Sequence, residues 1–245
     1  MDKELTEMLK YIRLRGLLEN WDKYIKLSQK RNYSHVRMLK YIITEEYKIK
    51  KENSRKQRLA RAKIPEIFVM ETFPFHKQPN LNKKKILTIY DSFDYISKKQ
   101  NVIWLGQTGV GKTGLATAFL VKAINKGYSG RFILFPELID ILYKSVADRS
   151  ESKVINKFVS YDCLHIDELG YVEADPVKVG LFFTLMHKRH KTKTTLITSN
   201  LGFQHWSSFL KNDHLAAALI DRLTENSHVI NMKKCVSLRS KLNNI

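Results

Sequence analysis

Apolar residues recur every three or four positions through the first quarter of the chain and then gather into short unbroken runs between further helical stretches. That change of period separates an all-helical segment from an alternating strand and helix segment. Leu5, Met8, Leu9 and Ile12 predict a first helix, and Leu17, Leu18, Trp21, Tyr24 and Ile25, beyond Gly16, predict a second. Ser34 is placed to cap a third, with Val36, Leu39, Ile43 and Tyr47 turned inward, which runs on through a polar stretch to residue 61. Pro65, Pro74 and Pro79 punctuate the next segment, so the boundary is expected within 63–80, giving an N-terminal domain of residues 1–66 and a larger one of 67–245.

Within the larger part, 102–105, 131–135, 161–168, 194–199 and 229–232 are apolar enough to be strands buried on both faces. Ile86, Ile89, Phe93 and Ile96 predict one helix over 85–98. A second runs from Leu115 to an end at Gly127, and others cover 136–142, 154–158, 177–186 and 215–223. Repeated strand, helix and crossover units imply an α/β fold, a parallel sheet with helices on both faces.

The first strand runs directly into G-Q-T-G-V-G-K-T at 106–113, which satisfies G-x-x-x-x-G-K-[ST] between a strand and a helix. In this P-loop, Gly106, Gln107, Thr108, Gly109, Val110 and Gly111 turn backbone N–H groups onto phosphate oxygens. Lys112 reaches the β and γ phosphates, and the Thr113 hydroxyl ligates Mg²⁺. The strand at 161–168 ends in Asp167 and Glu168, 55 residues after Lys112. Asp167 can hold Mg²⁺ through water beside Thr113, and Glu168 can polarise the water that attacks the γ phosphate of ATP. Asn200, at the end of the next strand, is either an ordinary turn residue or an amide that reads the γ phosphate and orients the lytic water. His165 shares a strand face with Cys163 and is expected to be a satisfied core histidine rather than a ligand. Phe68, Phe73 and Phe75 can meet a nucleotide base or the core, and core packing is the expectation.

Composition changes this picture mainly through charge. Forty-three Lys and Arg against 24 Asp and Glu leave a net charge of +19 and a sequence pI near 9.8, which points to a polyanionic partner. Residues 1–63 hold 18 basic and 8 acidic side chains, a surplus of ten in a quarter of the length. Between 48 and 63 only Glu52 interrupts eight basic residues, and Lys48, Lys51, Arg55 and Arg58 fall at spacings of three and four, a face suited to DNA phosphates. No apolar run is long enough for a membrane span and 1–10 lacks a signal-peptide layout, so a cytoplasmic protein without membrane association is expected. Cys163 and Cys235 have no CxxC partner and are expected to be reduced thiols rather than zinc ligands.

With the P-loop, D-E-L-G-Y at 167–171, L-I-T-S-N-L at 196–201, W-S-S-F at 206–209 and D-R-L…H-V-I-N at 221–231, the sequence resembles the IstB-like AAA+ ATPases, transposition helper proteins of bacterial insertion sequences. The stretch R-K-Q-R-L-A-R-A-K-I-P at 55–65 looks like that family's DNA-binding entry domain. The resemblance implies a P-loop NTPase of the AAA+ (ASCE) type with a small helical N-terminal domain and, with only a short stretch after residue 231, no sizeable C-terminal lid. It further implies a DNA-stimulated ATPase that uses ATP and Mg²⁺, forms a homo-oligomer on double-stranded DNA and assists a transposase. Asn200 matches the sensor position of that family. Arg222 matches the arginine finger supplied to a neighbouring subunit; on spacing alone it reads as a helix-surface arginine beside Asp221. Arg239 is a further candidate phosphate-sensing arginine. Gln107 and Thr108 stand where many relatives have two prolines, and Trp104 replaces an aliphatic strand residue. The same motifs are similar, at lower fidelity, to the DnaC-type helicase loaders, whose partner is a replicative helicase. A nucleotide switch without useful hydrolysis is a third reading, opposed by the intact acid pair.

Overall fold

A computed structural model describes residues 1–170 and 176–239; Tyr171 of the D-E-L-G-Y motif lies outside them. Two compact units divide the chain, Met1–Gln57 and Arg58–Ile245.

The first unit is helical. Helix α1 (Lys3–Tyr11) is capped by Asp2, whose carboxylate accepts from the Leu5 N–H at 2.7 Å. Helices α2 (Arg15–Glu19) and α3 (Trp21–Arg31) are separate, so the single helix expected after Gly16 is broken at Asn20. Gly16 lies inside α2 and not ahead of it. A Cβ there would collide with Ile49 and Glu46 of helix α4 (His35–Ala62), so glycine admits the close approach of the two helices. Glu46 is buried, and its carboxylate accepts from the Leu17 N–H at 2.9 Å, satisfying a free donor at the start of α2. This contact also sets the rotation of α4, contrary to the inward face expected from the sequence. Val36, Leu39, Ile43 and Tyr47 are 78, 60, 60 and 61% exposed, while Met38, Tyr41, Ile42 and Ile49 are partly buried. Tyr41 meets the rings of Tyr24 and Tyr33 at 5.8 and 6.2 Å.

In the second unit, helices α5 (Lys83–Ser92) and α6 (Asp94–Ser97) replace the one helix expected over 85–98. Phe93 between them is left-handed (φ +60°), and its ring packs on Tyr95 and Tyr128. The chain then alternates through β1 (Asn101–Leu105), α7 (Lys112–Asn125), β2 (Gly130–Leu134), α8 (Phe135–Ala147) and α9 (Glu151–Ser160). It continues through β3 (Cys163–Leu169), α10 (Pro176–Arg189), β4 (Thr194–Ser199), α11 (Trp206–Leu210), α12 (Asp213–Thr224) and β5 (Ser227–Asn231). Every strand pair is parallel, in the order β2-β3-β4-β1-β5. β4 therefore stands between the P-loop strand and the acid-bearing strand. Alternate residues feed two cores: Ile103, Ile133, Leu164, Ile166 and Ile197 face α8 to α12, while Val102, Trp104, Phe132, Cys163 and Leu196 face α5 to α7. Burial on both faces explains why these strands read as continuous apolar runs. Cys163 and Cys235 are buried free thiols, and burial pushes the Cys163 thiol up to about 12.

Candidate nucleotide site

Parallel strands deliver their C-terminal ends to one edge of the sheet, and there β1, β3 and β4 bring the predicted residues together. Gly109 and Gly111 take φ values of +84° and +97°, which only glycine adopts without strain, as the loop turns into α7. Lys112 is 9% exposed, and its ammonium donates to the Gly106 and Gln107 carbonyls, both at 2.8 Å. Burial pushes its pKa down; Asp167 and Glu168 act against that shift, and Arg239 adds to it.

The Thr113 hydroxyl lies 3.0 and 3.1 Å from the two Asp167 oxygens. Burial alone would raise the Asp167 carboxyl, but His165, Thr198 and Thr113 more than offset this and hold it below the usual carboxylate range. His165 Nε2 stands 3.6 Å from Asp167 Oδ1, beyond hydrogen-bond reach, so its help is electrostatic. His165 is a core residue as expected, fully buried and edge-on to Phe132, but among the described residues neither ring nitrogen has a hydrogen-bond partner, so there it is not a satisfied one. β3 is in register with β4 at Ile166↔Ile197 and again at Leu169↔Ser199, with an irregularity between. At that irregularity Glu168 is left-handed (φ +61°) and exposed, and it lines the cavity beside Lys112.

One residue here has a role that the sequence reading did not assign, although it stands within L-I-T-S-N-L. The buried Thr198 hydroxyl donates to Asp167 Oδ1 and accepts from the Glu168 N–H at 3.1 Å, so a single side chain of β4 holds the Asp167 carboxylate and the Glu168 backbone. Its only signal was a hydroxyl two positions before Asn200.

The cavity measures about 460 Å³ and is lined by Lys112, Thr113, Glu168, Asn200 and Arg239 on its polar side. Phe68, Phe73 and Leu238 line its apolar side. Phe68 and Phe73 are thus cavity walls, and Phe73 and Phe75 pack against the core, with their rings 4.8 Å apart. Asn200 Oδ1 is buried with no hydrogen-bond partner among the described residues. Two cations, an amide oxygen unpartnered among the described residues and a hydroxyl–carboxylate pair around one apolar-walled cavity would suit a Mg²⁺-nucleotide: the loop and Lys112 could hold phosphates, Thr113 and Asp167 the metal, and the phenylalanines the base.

Comparison with known proteins agrees with this geometry. Residues 7–244 match the family described as IstB-like ATP binding protein. The chain belongs to that family. The IstB-like protein is 29% identical over 231 residues to a Bacillus thuringiensis subsp. berliner protein of insertion sequence IS232 that is named for ATP binding, covering 94% of this chain and 92% of that one. A counterpart from IS21 of Pseudomonas aeruginosa is 28% identical, with 94 and 86% covered. Among solved structures, DnaI and the DnaC helicase loader each align at a TM-score of 0.53 and 22% identity, over 61% of this chain and 85 and 87% of theirs. DnaA bound to AMPPCP and single-stranded DNA aligns at 0.54 and 17% identity, over 67 and 49%. The IstB-like protein is therefore an ATP-binding protein of AAA+ fold.

Other predicted residues lie elsewhere. Arg222, on α12, does not line the cavity. Its guanidinium sits 4.8 Å over the Phe183 ring, with Nε 3.2 Å from His187 Nδ1 and Nη1 on the Ala218 carbonyl at 2.9 Å. Lys48, Lys51, Arg55 and Arg58 all fall on α4. Lys48 pairs with Glu45 at 2.7 Å, Arg55 with Glu52 at 2.6 Å, Lys51 lies over the Tyr47 ring at 5.7 Å, and Arg58 Nε reaches the Ile124 carbonyl at 3.4 Å. Among the described residues no helix is long and apolar enough to cross a membrane.

Proposed function

We propose that the IstB-like protein hydrolyses ATP with Mg²⁺ while assembled on duplex DNA and so assists the transposase of an insertion sequence. The observation that carries this reading is the meeting of Thr113, Asp167 and Glu168 beside Lys112 in one cavity. Bound Mg²⁺ would draw negative charge from the phosphates. Lys112 neutralises the same charge, Thr113 and Asp167 would hold the metal, and Glu168 is the base that takes a proton from the attacking water. Asn200 Oδ1 orients that water. Arg222 serves the site of a second copy, since in its own chain it lies outside the cavity. Residues 1–66 act as the DNA-binding domain, with Lys48, Lys51, Arg55 and Arg58 meeting phosphates at the expense of weak surface pairs. Full-length relatives from insertion sequences support a transposase as partner; the likeness to DnaI and DnaC is one of fold alone.

Two variants test the reading. Lys112→Ala is expected to abolish ATP-dependent assembly on duplex DNA, and Glu168→Gln to bind ATP, stop turnover and accumulate the assembled state; electrophoretic mobility and nucleotide binding measure both. Assembly that ignores ATP in the wild type and in both variants would sink the proposal. Co-purification with a hexameric helicase instead of an integrase-type transposase would replace the transposase with the loader reading.

A further inference from the structure

Beyond β5 the chain turns back over the P-loop. Of the strap 233–239 only Cys235 is buried, and Lys233, Lys234, Val236, Ser237 and Arg239 are exposed, so apolar burial does little to fix its path. Hydrogen bonds do this instead, and two of them, both to Val236, converge on Gln78. That side chain is 1% exposed; its Nε2 donates to the Val236 carbonyl at 2.7 Å and to the Val110 carbonyl at 3.2 Å, while its Oε1 accepts from the Val236 N–H at 3.0 Å. The amide can sit only one way round, because a flip would set its oxygen against two carbonyls and its NH₂ against an N–H. Val110 belongs to the P-loop, so one buried amide ties loop and strap together. Two further bonds extend the tie: Asn80 Nδ2 donates to the Lys234 carbonyl at 3.0 Å, and the Leu238 N–H donates to the Gly109 carbonyl at 2.8 Å.

The glycines of the loop make room for this strap. A Cβ at Gly109 would stand 2.5 Å from Ser237 Oγ, and one at Gly111 would stand 3.0 Å from Leu238 Cδ1. Held in this way, Leu238 and Arg239 form one wall of the cavity.

We infer that Gln78 is a positioning residue for nucleotide binding: it pins the strap 233–239 to the P-loop, so that this segment closes the cavity in cis and slows nucleotide release. The inference rests on the ATP reading of the cavity. Gln78 touches no reacting group in it and acts through Val110, Val236 and the neighbouring strap residues over the pocket.

Hydrogen–deuterium exchange and stopped-flow release of a fluorescent ATP analogue test the pin on the full chain. Gln78→Met keeps the side chain's length without adding charge and removes all three bonds. Val236→Pro, at an exposed position, removes the N–H that Gln78 accepts from and keeps the Gln78 side chain, so it serves if the first variant folds poorly. In the nucleotide-free protein both substitutions are expected to speed exchange in 233–239 and to leave α7 as protected as in the wild type. Both should also raise the analogue's off-rate, by about tenfold for Gln78→Met. Strap exchange and off-rates within about twofold of wild type in both variants would overturn the inference. A wild-type chain that binds no nucleotide would overturn the ATP reading instead, and exchange of the strap, which needs no nucleotide, would still decide whether Gln78 holds it.

Discussion

Thr198 has a single proton and gives it to Asp167, which leaves its oxygen free to accept from the Glu168 N–H. Thr198→Val keeps the shape, loses both bonds and should free the Asp167 carboxylate and loosen the backbone that carries Glu168. We expect Mg²⁺-dependent turnover to fall by about 10- to 100-fold while nucleotide affinity without metal changes little, and Thr198→Ser to restore most of the loss. Steady-state ATPase rates across a Mg²⁺ titration separate these outcomes; equal losses in metal-free binding would mean that Thr198 supports only the fold. The P-loop, Asp167 and Glu168 were legible because their residue types and spacing are dictated by phosphate and metal chemistry. Thr198 and Gln78 were not, because a hydroxyl in a strand or an amide in a loop acquires its role only from partners 30 to 158 residues away.

At the scale of elements, Arg189 shows how a charged residue can be structural. The sequence places it in a basic cluster at the end of α10, yet it is 1% exposed. Its guanidinium donates to the Phe158 and Tyr161 carbonyls at 2.8 Å and to Thr195 Oγ1 at 3.1 Å, joining the end of α9 to the start of β4. Burial pushes its pKa down to about 10, still well above neutrality, so the group stays charged. Arg189→Met should cost about 3 kcal/mol, because the carbonyls it leaves stay buried. Urea denaturation reads this as a lower midpoint with an unchanged slope; a loss below about 0.5 kcal/mol would mean that water reaches those carbonyls. The strands were readable from the sequence since burial on both faces leaves an apolar run. Helix α4 was readable as a helix but not in its rotation: it is apolar on two sides, and the choice between them came from Gly16 and Glu46, which belong to a tertiary contact.

For the whole molecule, the proposed site needs a second copy, and mixing two inactive variants tests this. Arg222→Ala keeps Glu168 and lacks the finger; Glu168→Gln has the finger and lacks the base. Each alone should turn over ATP at least about a hundredfold more slowly than wild type, and a mixture should recover part of the activity, because some interfaces unite an intact Glu168 with an intact Arg222. A mixture no more active than its parts would place Arg222 outside the reaction. The charge surplus in 1–63 supplies a reason for copies to gather on DNA. Coupling between that polyanion and the Lys112 site is the central claim, and the most direct measurement is the ATP turnover rate of the purified chain titrated with duplex DNA. Turnover is expected to rise severalfold with DNA and to disappear in Lys112→Ala; a rate that DNA leaves unchanged, or that survives the loss of Lys112, would rule this coupling out.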